Sequence, residues 1–308
     1  MPNYNGVWSL SEQYQNRAGW PVYVPPLPGD IGLFAGGNGP SNTIQYITIT
    51  STGDTTDFGD LNTARDNFAS CSGSTLGVFA GGPTFVTYIS SMEKVTIVTK
   101  GNGVDFGNLT LARNSFAASS NSTRGVFIAG ASSGGITAVM DYITFSSLGN
   151  AIDFADITSN RLGHAACGSA TRGVFGGGNE TSNVIEYFTI GTTGNSSDFG
   201  DLTQGRQQLA SCSSSTRGVF GGGETVNTID YITIASTGNA TDFGDLTASR
   251  RLLAACSNST RGVFGGGPGS DVIEYITIAS TGNGSDFGDL AANTHSLAAC
   301  SNAHGGIA

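Results

Sequence analysis

"CSNSTRGVFGGG", residues 256–267, sets a run of glycines after a short apolar stretch, the outline of a loop that cradles phosphate. The stretch is not unique. "CSSSTRGVFGGG" stands at 212–223 and "CGSATRGVFGGG" at 167–178, with looser copies "SSNSTRGVFIAG" at 119–130 and "CSGSTLGVFAGG" at 71–82. A phosphate loop is a single feature of its domain and needs a lysine after its glycines; no copy here has one. The run belongs to an internal repeat.

The glycine of "GVF", or its counterpart, falls at Gly32, Gly77, Gly125, Gly173, Gly218, Gly262 and Gly306, at spacings of 45, 48, 48, 45, 44 and 44 residues. These are six full periods, and "HGGIA" at 304–308 reads as the opening of one more. Each period has four segments of strand length. In the copy after Arg250 they are "RLLAACS" (251–257), "GVFGGG" (262–267), "VIEYITI" (272–278) and "DFGDL" (286–290), separated by the turn sequences "SNSTR", "GPGSD" and "ASTGNGS". No helical period appears in the repeats. "VIEYITI" and "NTIQYITI" (42–49) are apolar on both faces, which predicts a sheet covered on both sides. Six four-stranded sheets packed face to face around an axis supply that cover, giving an all-β, six-bladed propeller. The glycines then end the second strand, where the chain turns and only glycine adopts positive φ cheaply. Residues 32–61 lack a first strand, and "SLAACS" (296–301) is a first strand without a blade; pairing them closes the ring and removes an exposed edge.

Two further features carry a family resemblance. In "GGGNETSNVIEYFTI" (176–190) a glycine doublet is followed by a strand holding Glu186 and Tyr187, and Phe199, Phe243 and Phe287 lie near the last strand of their copies. Kelch repeats have a strand-ending glycine doublet, an acidic–x–Tyr strand and a late aromatic, usually Trp. Residues 32–308 thus resemble a kelch-like propeller.

The chain has 308 residues and a formal charge of −10, with Lys94 and Lys100 its only lysines, which argues against nucleic acid as a partner. No apolar run reaches the length of a membrane span, and the N-terminus lacks the pattern of a secretory signal, so no membrane partner is expected. Asn-x-Ser/Thr sequons, as at Asn121, Asn239 and Asn258, are expected by chance in a chain this rich in those residues. Cys71, Cys167, Cys212, Cys256 and Cys300 share one repeat slot, with Ser119 in the sixth copy. They read as small buried residues of the inner strand, on different blades and too far apart for disulfides.

No metal or cofactor site is expected. His164, His295 and His304 occupy different slots with no ligand spacing. Arginine recurs at two slots, one holding Arg65, Arg113, Arg161, Arg206 and Arg250, the other Arg124, Arg172, Arg217 and Arg261. These read as partners of repeat-slot aspartates such as Asp201 and Asp245, rather than as the arginine triad that sialidases on six-bladed propellers direct at a carboxylate. Galactose oxidase, a kelch-type enzyme, needs a cluster of His and Tyr at its copper, and no such cluster is visible. Asn195, Asp198 and Asp201, like Asn239, Asp242 and Asp245, could offer oxygen to calcium, but Asx-turns and ion pairs account for the same residues.

All length variation lies between the second and third strands. Phe34 to Tyr46 is 12 residues, Phe79 to Lys94 and Phe127 to Tyr142 are 15, Phe175 to Tyr187 is 12, and the last two copies have 11. Insertions in repeat proteins cluster on the binding face. The long copies, 80–94 and 128–141, offer Phe85, Tyr88 and Met92 as surface contacts; the alternative is that they are spacers.

Residues 1–31 do not repeat. They hold both tryptophans, three of nine tyrosines and five of eight prolines. "SLSE" (9–12) has a capping-box pattern and "PVYVPPLPG" (21–29) should be extended. The segment reads as an anchoring arm, with Trp8, Tyr14, Trp20 and Tyr23 as interface residues, or else as a strap on its own propeller. Such an arm before a repeat domain resembles the virion-attachment ends of phage appendage proteins, and the near-identical glycine-rich copies are similar to kelch-like propellers of tailed phages, marine ones in particular. The resemblance implies a non-enzymatic virion component of tail or capsid. It would be held to other virion proteins through residues 1–31 and present a propeller (32–308) to a host-surface glycan or protein. A glycan-active enzyme on a kelch-like scaffold and a cellular protein-interaction propeller are the alternatives.

Overall fold

In the computed structural model, which describes residues 29–85 and 87–307, the glycine doublet follows the end of the second strand in five of the six repeats, and in the third blade that strand runs on through the same position. Gly266 and Gly267 have φ of 80° and 127°, and Ala129 and Gly130, the one departure from the doublet, have 54° and 107°. The second residue then reaches into the next repeat. The N–H of Gly267 donates to the Thr294 carbonyl (2.8 Å), Gly223 to Arg250 (2.8 Å), Gly178 to Arg206 (2.9 Å), Gly130 to Arg161 (2.8 Å), Gly82 to Arg113 (2.9 Å) and Gly37 to Arg65 (3.1 Å). A Cβ on Gly266 would lie 2.6 Å from the Thr294 oxygen. The doublet is a joint between neighbouring repeats: its first N–H is committed to the third strand of its own blade, as Gly266 to Val272, and its second to the joint, not to an anion.

Twenty-four strands form six antiparallel sheets of four. The first blade holds β1 (Ile31–Ala35), β2 (Ser41–Thr48) and β3 (Thr56–Arg65). The second holds β4 (Ala69–Ser72), β5 (Leu76–Ala80), β6 (Ser91–Thr96) and β7 (Val104–Asn108). The third holds β8 (Ala117–Ser120), β9 (Arg124–Ser132), β10 (Gly135–Thr144) and β11 (Ile152–Asp156). In the fourth are β12 (Ala165–Gly168), β13 (Arg172–Gly176), β14 (Val184–Thr189) and β15 (Ser197–Asp201). The fifth contains β16 (Ala210–Ser213), β17 (Arg217–Gly221), β18 (Thr228–Thr233) and β19 (Thr241–Asp245). The sixth contains β20 (Ala254–Ser257), β21 (Arg261–Gly265), β22 (Val272–Thr277) and β23 (Ser285–Asp289). β24 (Ala298–Ser301) completes the first blade beside β1, with Gly32 opposite Ser301 and Ala35 opposite Ala298. The protein is a six-bladed β-propeller, closed as the repeat arithmetic predicts; its first strand takes in Ile31.

The inner strands β4, β8, β12, β16, β20 and β24 converge on the axis, and convergence selects small side chains. Each cysteine sulfur fills the space beside the "GVF" glycine one blade on. A Cβ on Gly262 would lie 2.4 Å from the Cys212 sulfur, and one on Gly32 2.6 Å from that of Cys256. All five thiols are buried and unpaired. Where Ser119 replaces cysteine, the glycine it would face, Gly173, is covered by Phe188, in a slot that holds aliphatic Ile or Val in every other copy. Serines closing the inner strands bond around the axis: Ser72 Oγ donates to the Ser301 carbonyl, Ser301 to Ser257, Ser257 to Ser213, Ser213 to Gly168, and Ser120 to Ser72. Gly168 lacks a hydroxyl to continue the circle, and Ser119 Oγ instead donates to the Cys167 carbonyl at 3.0 Å.

Five buried ion pairs brace the blades from within. Arg113 meets Asp141 at 3.0 Å, Arg161 meets Glu186 at 2.7 Å and Arg206 meets Asp230 at 2.8 Å; Arg65 and Arg250 pair likewise with Glu93 and Glu274. The partners are the acidic residues of the third strand, not Asp201 and Asp245 as the sequence suggests. Those two lie on the outer strand, where their backbone N–H groups are capped by Asn239 and Asn283 of the next blade. Each guanidinium also donates to the carbonyls that flank the loop between strands two and three; Arg206 reaches Thr228 (2.8 Å) and Phe220 (3.2 Å). Burial lowers the pKa of all five, that of Arg250 to about 10. The first blade loses both charges together. Thr294 takes the arginine slot and Gln45 the acid slot, and Gln45 Oε1 accepts from the Ala291 N–H (2.8 Å), as Asp230 accepts from Thr203.

Two consequences follow from this packing. Arg206→Thr alone strands Asp230 in the interior and should cost about 3–5 kcal/mol in denaturant unfolding. Adding Asp230→Gln reproduces the first blade's neutral pair and should recover much of that loss; additive losses would refute the pairing. Separately, Gly262→Ala should cost about 1–3 kcal/mol by overpacking. Cys212→Ala in the same chain should relieve it, and no relief would show that the glycine serves another purpose.

Candidate binding faces and the central channel

A four-stranded meander divides its connections between two ends. Loops between strands two and three share one face with the interblade links, and the "STGN" turns share the other with the short turns after the inner strands. On the loop face the second and third blades differ from the rest. In the second, Pro83 and Tyr88 form a bridge, the Thr84 N–H donates to the Thr87 carbonyl (2.9 Å), and Phe85 projects from the tip, 76% exposed, with Tyr88 37% exposed. In the third, residues 128–141 are not a loop. β9 and β10 run on past the glycine joint as a hairpin, Ser132 opposite Gly135, and carry Ile136 partly exposed. Met92 does not belong to this surface. It lies on β6 opposite Ala80 with no exposure, in the apolar core shared by the second and third blades. Trp8, Tyr14, Trp20 and Tyr23 lie outside the described residues, as does the capping-box segment 9–12.

The channel mouth on the loop face is a closed circle of backbone hydrogen bonds. Asn67, Ser115, Gly163, Gln208, Leu252 and Ser296 all have positive φ, between 45° and 66°. The N–H of each donates to the carbonyl of its counterpart one blade back: Ser115 to Asn67, Gly163 to Ser115, Gln208 to Gly163, Leu252 to Gln208, Ser296 to Leu252, and Asn67 to Ser296, at 2.6–2.8 Å. The next residue in each blade lines the mouth: Phe68, Phe116, His164, Leu209, Leu253 and Leu297. His164 is the single polar member. Its ring packs edge-on against Phe175 at 5.6 Å, and neither nitrogen has a hydrogen-bond partner of good geometry. Burial, with the Arg161 charge adding to it, pushes its pKa down to about 3 and keeps the ring neutral.

The opposite mouth is crossed by residues 302–307. The sequence casts "HGGIA" as the opening of another repeat, but these residues make turns instead of a strand. The Gly305 N–H donates to the Ser213 carbonyl (3.0 Å), and His304 Nε2 donates to that of Ser72 (2.9 Å) while its Nδ1 accepts from Gly306 (3.1 Å). Glycine is required here because a Cβ at Gly305 would lie 2.2 Å from the Ser214 oxygen. Between the mouths the wall is lined by small residues of the inner strands, among them Ser70, Ala118, Ala166, Ser211, Ala255 and Ala299.

The recurring arginines are spent on structure. Arg124, Arg172, Arg217 and Arg261 lie over Tyr142, Tyr187, Tyr231 and Tyr275 at 4.2–4.3 Å. Each also donates to a carbonyl of the next blade, Arg217 to Ile278 at 2.8 Å. Asn195 and Asn239 cap the outer-strand N–H groups of Asp156 and Asp201. Among the described residues no group of three or more His, Cys, Asp or Glu is placed to hold a metal ion. Three exposed residues escape a motif-based reading: Val104, Leu148 and Ile152, on the turn face of the same two blades. Slot-by-slot comparison of the repeats would have found them, because other copies carry mostly Ser or Thr there. No protein-family model matches the chain, and no curated protein does either.

His164 makes the fold acid-sensitive. Its folded pKa, about 3, lies below its unfolded value, 6.5. The unfolded chain therefore takes up a proton that the folded chain refuses. Its contribution is fully kept above pH 6.5 and is lost at about 1.4 kcal/mol per pH unit as pH falls from there toward 3. His304, also held below its ordinary value by burial, acts in the same direction. His164→Leu, the residue of three other blades, should raise unfolding stability by about 2 kcal/mol more at pH 5 than at pH 8. An equal effect at the two pH values would place the proton elsewhere.

Proposed function

We propose that this protein is a non-enzymatic binding propeller of a tailed-phage virion, of the kelch-like kind, attached through residues 1–31. Its loop face meets a host-surface glycan or protein. The observation that carries the reading is the concentration of irregularity: on a ring whose arginines and third-strand acids are locked into repeated structural pairs, only the second and third blades extend the loop face, with Phe85 and Tyr88 on one and the β9–β10 hairpin on the other. Exposed aromatics on a rigid support are the usual means of holding a sugar ring or an apolar side chain. The arm supports the attachment half of the reading, because ring closure needs no residue before Ile31 and the arm's Trp8, Tyr14, Trp20 and Tyr23 call for apolar cover.

Deleting residues 1–28 should leave a soluble propeller with unchanged unfolding that no longer enters assembled particles. Phe85→Ser with Tyr88→Ser should leave incorporation intact and reduce binding to host cells. Unchanged incorporation of the deletion would overturn the anchor, and unchanged adsorption of the double variant would overturn the binding face.

A further inference from the structure

All six exposed large apolar side chains among the described residues lie on the second and third blades, and three of them, Val104, Leu148 and Ile152, are on the turn face, 57%, 63% and 58% exposed. The ring does not need them to be apolar. The slot of Val104 and Ile152 holds Thr56, Ser197, Thr241 and Ser285 in the other blades, and that of Leu148 holds threonine in four of them. The three lie along one rim. The Gly149 N–H donates to the Phe106 carbonyl at 3.0 Å and the Ala151 N–H to that of Asn108 at 2.8 Å. The turn that carries Leu148 therefore rides along β7, which Val104 opens, and leads into β11, which Ile152 opens. Beside them stands a cation with no partner. Four blades stack an arginine of the second strand on the third-strand tyrosine, and the first covers Tyr46 with Lys100 of its neighbour at 4.8 Å. In the second blade these two slots are Leu76 and Lys94. Lys94 is partly buried, opposite Val104. Among the described residues its ammonium makes no ion pair, side-chain hydrogen bond or ring contact.

We propose that this rim is a second attachment contact, docking on an apolar, aromatic-bearing surface of the same virion partner that holds residues 1–31. An aromatic ring of the partner covers Lys94, and its aliphatic side chains meet Val104, Leu148 and Ile152. The contact rests on the virion reading and turns attachment at one segment into a fixed pose. Position favours this occupant. Recognition by the loop face leaves the turn face toward the particle, and the described chain starts on that same face, at Gly29, in the blade next to the second. The repeats indicate the chemistry. At this slot every other blade sets a cation against an aromatic ring, so a ring is what Lys94 lacks. A carboxylate fits less well. The chain's net charge of −10 repels an acidic surface, and Asp105 and Asp153, exposed beside Val104 and Ile152, already bring negative charge to the rim. Aromatic and aliphatic groups together cover the ammonium and the three apolar side chains in one contact. The patch is small, but it binds as the second of two linked contacts. Once residues 1–31 are held, the rim meets its partner at an effective concentration on the order of millimolar. Attachment at one segment leaves the ring free to turn, and the rim contact points the loop face outward.

The purified, labelled full chain can be added to particles assembled without it, with bound chain measured after sedimentation. Val104→Ser, Leu148→Thr and Ile152→Ser together install residues that other blades carry at those slots. They should weaken binding about tenfold or more while thermal unfolding stays unchanged. Lys94→Gln should weaken it about two- to fivefold, equally at low and high salt, and Lys94→Arg should bind as the parent does. If the triple variant does not fold, Leu148→Thr alone repeats the measurement. Parent-like binding by the triple variant, where a chain lacking residues 1–28 fails to bind, overturns the rim contact and leaves the virion attachment standing. A parent chain that does not bind overturns both. A Lys94→Gln loss that vanishes at high salt assigns the cation to a carboxylate and overturns the aromatic partner. The free chain separates two other occupants. Self-association that the triple substitution abolishes assigns the rim to a second copy. A change in tryptophan emission on the same substitution assigns it to the chain's own arm, since both tryptophans precede Gly29. Either result overturns docking on the particle.

Discussion

No blade of this ring has an exposed face to spare. Strands two and three are apolar on both sides, so each sheet needs a neighbour on either flank, and the apolar clusters draw residues from two adjacent sheets. That requirement propagates until the ring closes on itself through β24 and β1. Because the edges are closed, the joints between blades can be backbone hydrogen bonds. One set is at the glycine doublets, another is the circle of positive-φ residues at the channel mouth, and a third is the ring of serine hydroxyls near the other mouth. Close approach on the axis sets the composition of the inner strands, where only Ala, Ser, Cys and Gly occur.

The repeats act as controls on one another. Where one member of an interacting set changes, its partner changes with it. Thr294 goes with Gln45 in place of arginine and acid, and Ser119 with Gly168 and Phe188 in place of cysteine, serine and an aliphatic side chain. Each substitution keeps buried polar groups matched or a volume filled, as expected when an unpaired charge or a void in a close-packed ring is expensive. In the second blade the arginine and tyrosine slots also change together, to Leu76 and Lys94, but this exchange puts no matched pair in place of the stacked one, and it lies beside the apolar residues the fold does not require.

The two ends of the ring are chemically different. The turn face is uniform in length and receives the start of β1 and the crossing residues 302–307. The loop face carries all the length variation, and the second and third blades carry the tallest features. A rigid ring with one regular face and one variable face suits attachment on one side and recognition on the other, which is the division the proposed function draws.

Most of the architecture was legible in the chain. Blade number, strand count per blade, the role of the glycine doublet, the slot of the buried cysteines and the closing strand all follow from a repeat whose segments alternate apolar and turn residues, because these are local or periodic properties. Tertiary structure alone decided the pairings. "RLLAACS" looks like one strand, yet Leu252 takes a positive φ to complete the circle at the channel mouth, so β20 begins at Ala254. Asp230 and Asp245 are both acids of the same repeat, and only the burial of the third strand makes the former the partner of Arg206. Met92 and Phe85 lie seven residues apart in one variable segment, and the bridge from Pro83 to Tyr88 sends one outward before the chain re-enters the core with the other. Periodicity specifies which segments form strands. Which side chains meet across those strands depends on the twist and closure of the whole ring, which no single period contains.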